Sequence, residues 1–252
     1  MAIRRFRADL HIHTVLSPCA EVEMIPPLIV ESALEHGIDL IAITDHNSTA
    51  NIASVQKAAL STKLTVLPGM ELQTREDIHS LCLFDTLEQV EALQQRVDAT
   101  FPNLKNNEEF FGAQFVVDET GDFIRHEERL LITSSSLSLN EAFLLVTNLG
   151  GLFIPAHINR KTYGLIESLG FIPPEIPFEA VEISRHLSPQ QALINIPSIS
   201  HIPIIQNGDV HRLDEFLGSL FFEIENPSIK EIRLALKNEN GRSFKVHAFN
   251  RE

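Results

Sequence analysis

Short apolar runs separated by helix-patterned stretches recur along nearly the whole of this chain, and that alternation limits its fold more than any other feature. Residues 38–44 (IDLIAIT), 151–155 (GLFIP), 180–183 (AVEI), 202–205 (IPII) and 219–224 (SLFFEI) read as buried strands. Between them, 26–36 opens on Pro and stops before Gly37, as a helix does. Residues 47–60 carry helical spacing through Ile52, Val55, Ala59 and Leu60. Ser138 with Glu141, and Ser228 with Glu231, have the spacing of capping boxes ahead of two further helices. Alternating βα units with short connections predict a parallel sheet or barrel. A length of 252 residues is compatible with one such barrel as a single domain spanning 1–252.

One stretch departs from the pattern. In 86–137, Leu87, Val90, Leu93 and Val97 form a helical stripe, but 102–133 is charged, Phe-bearing and irregular. Residues 86–137 are therefore expected to be an insertion, packed on the barrel as a lid or subdomain.

Composition narrows the chemistry. At 44% hydrophobic and 21% charged the chain is neither disordered nor membranous. Twenty Lys and Arg stand against 34 Asp and Glu, a formal charge of −14. That balance argues against a broad electrostatic grip on long nucleic acid. Two cysteines, Cys19 and Cys82, make no disulfide framework, so a reducing, cytoplasmic setting is expected. The basic start (IRRFR) is followed by no apolar stretch of signal-peptide length, and no run approaches a membrane span. What stands out is 11 His in so acidic a chain.

Most of the informative histidines sit where predicted strands end. In Asp9-Leu10-His11-Ile12-His13-Thr14, strand alternation would turn Asp9, His11 and His13 to one side. The two imidazoles, about 7 Å apart along the strand, can lean onto one cation, and a carboxylate behind can orient them. ITDHN puts Asp45 and His46 at the end of the 38–44 strand, where barrel enzymes place their chemistry. PGME supplies Glu71, HSLCLF opens with His79, IPAH ends on His157, and NGDVH carries Asp209 and His211 two apart. Each alone has an ordinary structural explanation. Together they assemble a His/carboxylate set suited to Zn, Mn or Fe rather than a closed thiolate site. More ligands than one ion needs imply two or three divalent ions.

These motifs, in this order over 9–211, resemble the PHP (polymerase and histidinol phosphatase) family. The resemblance implies a distorted, TIM-like (β/α)7 barrel, a trinuclear metal site and phosphoesterase activity. Carried onto this chain, it implies that His11, His13, Glu71 and Asp209 hold one ion. Glu71, His79 and His157 would hold a second, with Glu71 bridging, and His46 and His211 a third. Asp9 and Asp45 would fix imidazole tautomers from behind. The chain departs from the family where another third-ion ligand is often found: Ser17-Pro18-Cys19-Ala20 stands there, leaving Cys19, Glu21 or Glu23 to serve, or Cys19 to be a buried turn residue.

The function expected is metal-dependent hydrolysis of a small phosphate ester, nucleotide-like or sugar phosphate. His211 or His46 would protonate the leaving oxygen, and Arg160 and Arg185, with Arg75 as a third candidate, would clamp the phosphate. No long nucleic acid and no membrane partner are expected; oligomeric state is left open. The alternatives are an amidohydrolase-type C–N hydrolase, a 5′ exonuclease on short oligonucleotides, and a metal-binding module without catalysis. The first would need a bridging Lys where Glu71 stands, and the last predicts eroded ligands.

Overall fold

The computed structural model describes residues 2–247. Its strands, in chain order, are β1 (Arg4–Ile12), β2 (Leu40–Ile43), β3 (Thr65–Gln73), β4 (His79–Leu83), β5 (Phe115–Val117), β6 (Phe123–His126), β7 (Leu152–Pro155), β8 (Val181–Ile183), β9 (Ile204–Gln206), β10 (Leu220–Ile224) and β11 (Ser243–Val246). Seven form one curled sheet in the order β11-β10-β1-β2-β3-β4-β7; β5-β6 and β8-β9 are separate pairs. The curl is carried on by single contacts. Ile158 N donates to Glu182 O, joining the end of β7 to β8, and a parallel bridge between Ile12 and Val210 ties the end of β9 to β1. β1, β2, β3, β4, β7, β8 and β9 thus complete a distorted TIM-like α/β barrel of seven strands.

The barrel is not uniformly parallel. β1-β2-β3 and β8-β9 are parallel, but β4 runs antiparallel to both β3 and β7. Only residues 74–78 join β3 to β4, too short for a crossover helix, so the chain returns as a hairpin. This reversal places the start of β4 at the same mouth as the ends of its neighbours.

Strand alternation builds two apolar layers. Leu10, Leu40, Ala42, Leu81, Ile154, Ile205 and Phe222 belong to a cluster shared by the strands and the helix Ile229–Leu236. Ile41, Ile43, Met70, Cys82, Phe153, Val181 and Ile183 face the opposite way, onto the helices Pro26–Glu35, Ile52–Ala59, Leu87–Thr100 and Leu139–Asn148. Burying these faces is the main drive for the fold.

Local signals performed unevenly. Ser138 and Glu141 close a full capping box. At Ser228 half of one forms: its hydroxyl accepts from Glu231 N, but the Glu231 carboxylate turns to Glu225 N and Arg242. The helix expected from residue 47 begins at Ile52, because Asn47 sits at φ +50° with its amide bonded to Leu131 O, Thr133 O and Gln73 N. Within 86–137, Leu87–Thr100 buries Val90, Leu93 and Val97 in the helix-facing core, behind a capping box at Thr86. The remainder carries the β5-β6 hairpin and lies beside the 14–18 loop, with Phe115 N donating to Val15 O. No helix among the described residues is long and apolar enough to cross a membrane.

Candidate metal centre

Glu71 lies at the middle of the barrel mouth, 1% exposed, with five imidazoles around its carboxylate. Its Oε1 is 3.2 Å from His11 Nε2, 2.9 Å from His79 Nδ1 and 3.1 Å from His157 Nε2. Its Oε2 is 3.4 Å from His13 Nε2 and 2.9 Å from His46 Nδ1. Asp209 Oδ1 closes one side, 3.3 Å from His11 Nε2 and 3.6 Å from His13 Nε2. His211 stacks on His13 with centroids 4.1 Å apart. All eight expected ligands therefore converge. His79 arrives from the start of β4, the others from the ends of β1, β2, β3, β7 and β9, and the hairpin reversal is why a strand start can join strand ends.

The donor set fits cations. Three trios hold ligand atoms within 4.8 Å of one another: His11, His13 and Glu71; His46, Glu71 and His79; and His13, His46 and His211. His11 Nε2, His13 Nε2 and Glu71 Oε2 are buried without a hydrogen-bond partner, a costly state that a bound ion relieves. In the neutral, ligand-competent form of the rings the tautomers agree. His11 Nδ1 faces the Glu182 carboxylate at 3.1 Å and must carry the proton, leaving the Nε2 lone pair towards Glu71. His13 Nδ1 lies 2.9 Å from Ser17 Oγ, which itself donates to Asp45 at 2.7 Å, so His13 Nε2 is also bare. His211 Nδ1–H donates to Asp209 O, leaving its Nε2 free. Ligands held from behind in this way are the usual device for fixing metal-binding imidazoles.

The field inside the site is negative. Burial opposes charge on His13, yet the Asp209 and Glu71 carboxylates beside it hold its pKa up at about 9. Burial likewise opposes His46, which Cys19 and Glu71 raise to about 9. At His11 burial is again overcome, by Glu182, Glu71 and Asp209, and the pKa stands well above the ordinary value. Burial works against ionisation of Glu71 and Asp209 as well, but the surrounding imidazoles keep both carboxyls well below the usual range. His79 and His211 go the other way, to about 4, burial leading in each case.

The expectations for Asp9, Asp45 and Arg75 need revision. Asp9 touches no imidazole; its carboxylate accepts from the backbone N–H of Gly208, Leu217 and Gly218. The cause is a register shift against β2: Asp9 pairs with Ile41 and Ile12 with Ile43, so three steps on β1 match two on β2. Such a bulge breaks strict alternation, and Leu10 and Ile12 enter different apolar layers. Asp45 acts at one remove, on Thr14 N, Thr14 Oγ1 and Ser17 Oγ. Arg75 pairs with Glu76 at 3.7 Å and lines no part of the mouth. Arg160 does: its Nη1 donates to Asp209 Oδ2 at 2.6 Å, beside a cavity of about 190 Å³ that also meets Glu71, His79 and His157. Arg185 donates to Gly208 O and borders an adjoining cavity of about 340 Å³ that shares Arg160, His157 and Asp209.

Sequence reading missed three residues here. Glu182 faces the mouth from β8, 1% exposed, holding His11 Nδ1, His157 N and Asn207 Nδ2. A carboxylate alone within AVEI was its available signal, since a charge so placed needs partners. Ser17 relays between His13 and Asp45, and nothing local marks it. Tyr163, the single Tyr, lies flat on His79 with centroids 4.3 Å apart and an interplanar angle of 3°.

A model of the PHP domain matches residues 9–167. The chain is similar to an uncharacterized Bacillus subtilis (strain 168) protein, YqxK, with 24% identity across 96% of this chain and 64% of that one. In structure it is similar to the lesion-specific endonuclease PfuEndoQ of Pyrococcus furiosus (TM-score 0.72, 21% identity, 96% of this chain and 58% of that one). An Endonuclease Q complex with a 27-mer duplex bearing an abasic lesion superposes with a TM-score of 0.70 at 21% identity, over 95% and 58% of the two chains. A Bifidobacterium adolescentis protein assigned as a metal-dependent phosphoesterase gives a TM-score of 0.55 at 19% identity, over 81% and 87%. The chain spans about three fifths of the length of the first three.

Proposed function

Since the chain belongs to the PHP domain family, we propose that its barrel mouth is a metal-dependent phosphoesterase site acting on a small phosphate ester, nucleotide-like or sugar phosphate. The observation that carries this reading is the set of three overlapping donor trios sharing His13, His46 and Glu71, beside a cavity edged by Arg160. We read His11, His13, Glu71 and Asp209 as one ligand group, Glu71, His79 and His157 as a second, and His46 with His211 as a third, for two or three Mn, Fe or Zn ions. Bound there, such ions lower the pKa of water and neutralise charge on phosphoryl oxygens. Arg160 offers a planar fork from the cavity edge, and Arg185 a second one, so that an anion is held in line with the cluster. His211 keeps its proton on Nδ1 against Asp209 O and His46 turns Nδ1 to Glu71, so both are ligands first. A proton for the leaving oxygen is then supplied from solvent unless one of these imidazoles is released. We place the protein in the reducing cytoplasm, where its free thiols persist.

A second reading, cleavage of an oligonucleotide, is favoured by one observation: Tyr163 sets an aromatic face at the edge of the site, 40% exposed. The Endonuclease Q structure, similar in fold, holds a 27-mer duplex substrate with an abasic lesion at its active site. The expectation that a net charge of −14 excludes long nucleic acid is therefore withdrawn, because the field at a cation-loaded mouth is local. C–N hydrolysis of the amidohydrolase kind is disfavoured, since Glu71 occupies the central position and no Lys lines the cavity.

The test is an assay of the Mn²⁺- or Zn²⁺-loaded chain on phosphomonoesters, nucleoside bisphosphates, short single strands and lesion-bearing duplexes. Phosphomonoester or bisphosphate turnover is expected, falling at least about a hundredfold in His11→Ala and in Asp209→Ala. Cleavage confined to oligonucleotides would establish the second reading. Turnover of amides with every phosphoester inert would overturn both.

A further inference from the structure

Cys19 is exposed on the 14–20 loop, yet its position is tightly determined. Glu21 N donates to His211 O at 3.0 Å, and Arg212 pairs with Glu21 at 2.9 Å, so the loop is fastened to the segment bearing Asp209 and His211. From the other side Gly112 presses on Pro18. A Cβ there would lie 2.5 Å from Pro18 O, and φ is +95°, so only Gly allows the approach. The result is Cys19 Sγ 3.1 Å from His211 Nε2, the nitrogen that its tautomer leaves bare. The same residue lines the mouth cavity together with His46. His46 and His211 form a ligand trio with His13, whose Nε2 is buried without a partner.

We propose that Cys19 is a thiolate ligand, completing with His46 and His211 a nitrogen–sulfur site for the third cation and selecting a thiophilic divalent ion there, Zn²⁺ or Fe²⁺ over Mg²⁺ or Mn²⁺. This rests on the metal-centre reading above but not on what the centre hydrolyses. Imidazole and thiolate together favour borderline-soft ions, whereas the groups that share the Glu71 carboxylate also offer hard oxygen donors and are less selective. Cys82 is no competitor, being fully buried in the helix-facing core.

The test uses the full chain stripped of metal and titrated with Co²⁺. A near-ultraviolet thiolate-to-cobalt charge-transfer band is expected in the wild type and in Cys82→Ala, and is expected to vanish in Cys19→Ser. Zn²⁺ titration followed by metal counting should show the weakest-bound equivalent loosened at least tenfold in Cys19→Ser, the others unchanged. Mass-resolved alkylation should find Cys19 reactive in the stripped protein and protected by Zn²⁺ but not by Mg²⁺. Cobalt bound without the band, a band that survives Cys19→Ser, or equal labelling in both metals overturns the proposal. These readouts stand even if no phosphoester is turned over, so a failure of the functional reading is seen separately.

Discussion

Glu182 shows how much of this site depends on residues set behind the converging imidazoles. Its two oxygens accept from His11 Nδ1, His157 N and Asn207 Nδ2, and Asn207 in turn accepts Leu10 N, so one carboxylate links the ends of β1, β7 and β8 to the segment following β9. Replacing it with Gln keeps size but turns an N–H₂ towards groups that are already donors. His11 then keeps at most one of the two oxygens it faces and loses the negative charge behind its Nδ1–H. Glu182→Gln is expected to fold and to bind its tightest metal about ten- to a hundredfold more weakly, read by competition with a chelator. Unchanged affinity would mean that the ligand orientation is set elsewhere.

At the scale of elements, two irregularities make the site possible: the β3-β4 hairpin and the bulge in β1. The hairpin brings His79 to the mouth; the bulge separates Asp9 from His11. Asp9 is thereby free to hold the loop bearing Asp209, through the N–H groups of Gly208, Leu217 and Gly218. Gly208 is required here, because a Cβ would fall 2.9 Å from Asp9 Oδ2 and 2.8 Å from Glu215 O. Burial raises the pKa of Asp9 despite the three bonds, so this is a carboxyl held at some cost for position. Asp9→Ala strands three buried donors, and a loss of about 3 kcal/mol or more is expected from urea unfolding of the metal-free protein. A loss under about 1 kcal/mol would show the loop to be held by other contacts.

For the whole molecule, the site governs pH behaviour out of proportion to its size. In the metal-free protein His13 and His46 titrate at about 9 rather than the ordinary 6.5. Their stabilising contribution is full below 6.5 and is lost as pH rises through 9. His79 and His211 titrate at about 4, so their contribution is present above 6.5 and lost as pH falls through 4. The Tm of the metal-free protein is therefore expected to peak near pH 6.5 and fall on both sides. Cation loading expels the protons on His13 and His46, so apparent metal affinity should climb between about pH 6.5 and about pH 9. Calorimetric titrations in buffers of different ionisation enthalpy read that proton release directly. An affinity flat over this range would contradict the assignment of these imidazoles as ligands.

The sequence by itself determined the layered α/β architecture, because short buried strands and capped helices are written in local apolar patterning. It also determined the identity of the eight converging residues, because carboxylates and imidazoles at strand ends leave a local trace in ITDHN, PAH and GDVH. Only the tertiary structure decided what depends on register and chain reversal. A bulge turned Asp9 away from His11 although the two-residue spacing put them on one face. A five-residue connection sent β4 back through the sheet and made the start of a strand equivalent to the end of its neighbours. Cys19, Ser17 and Glu182 acquired their roles from partners 28 to 192 positions away, at His211, Asp45 and His11. Periodicity reports which side of an element is buried. It carries no information about which distant element will cover that side, and at this site the distant element supplies the chemistry.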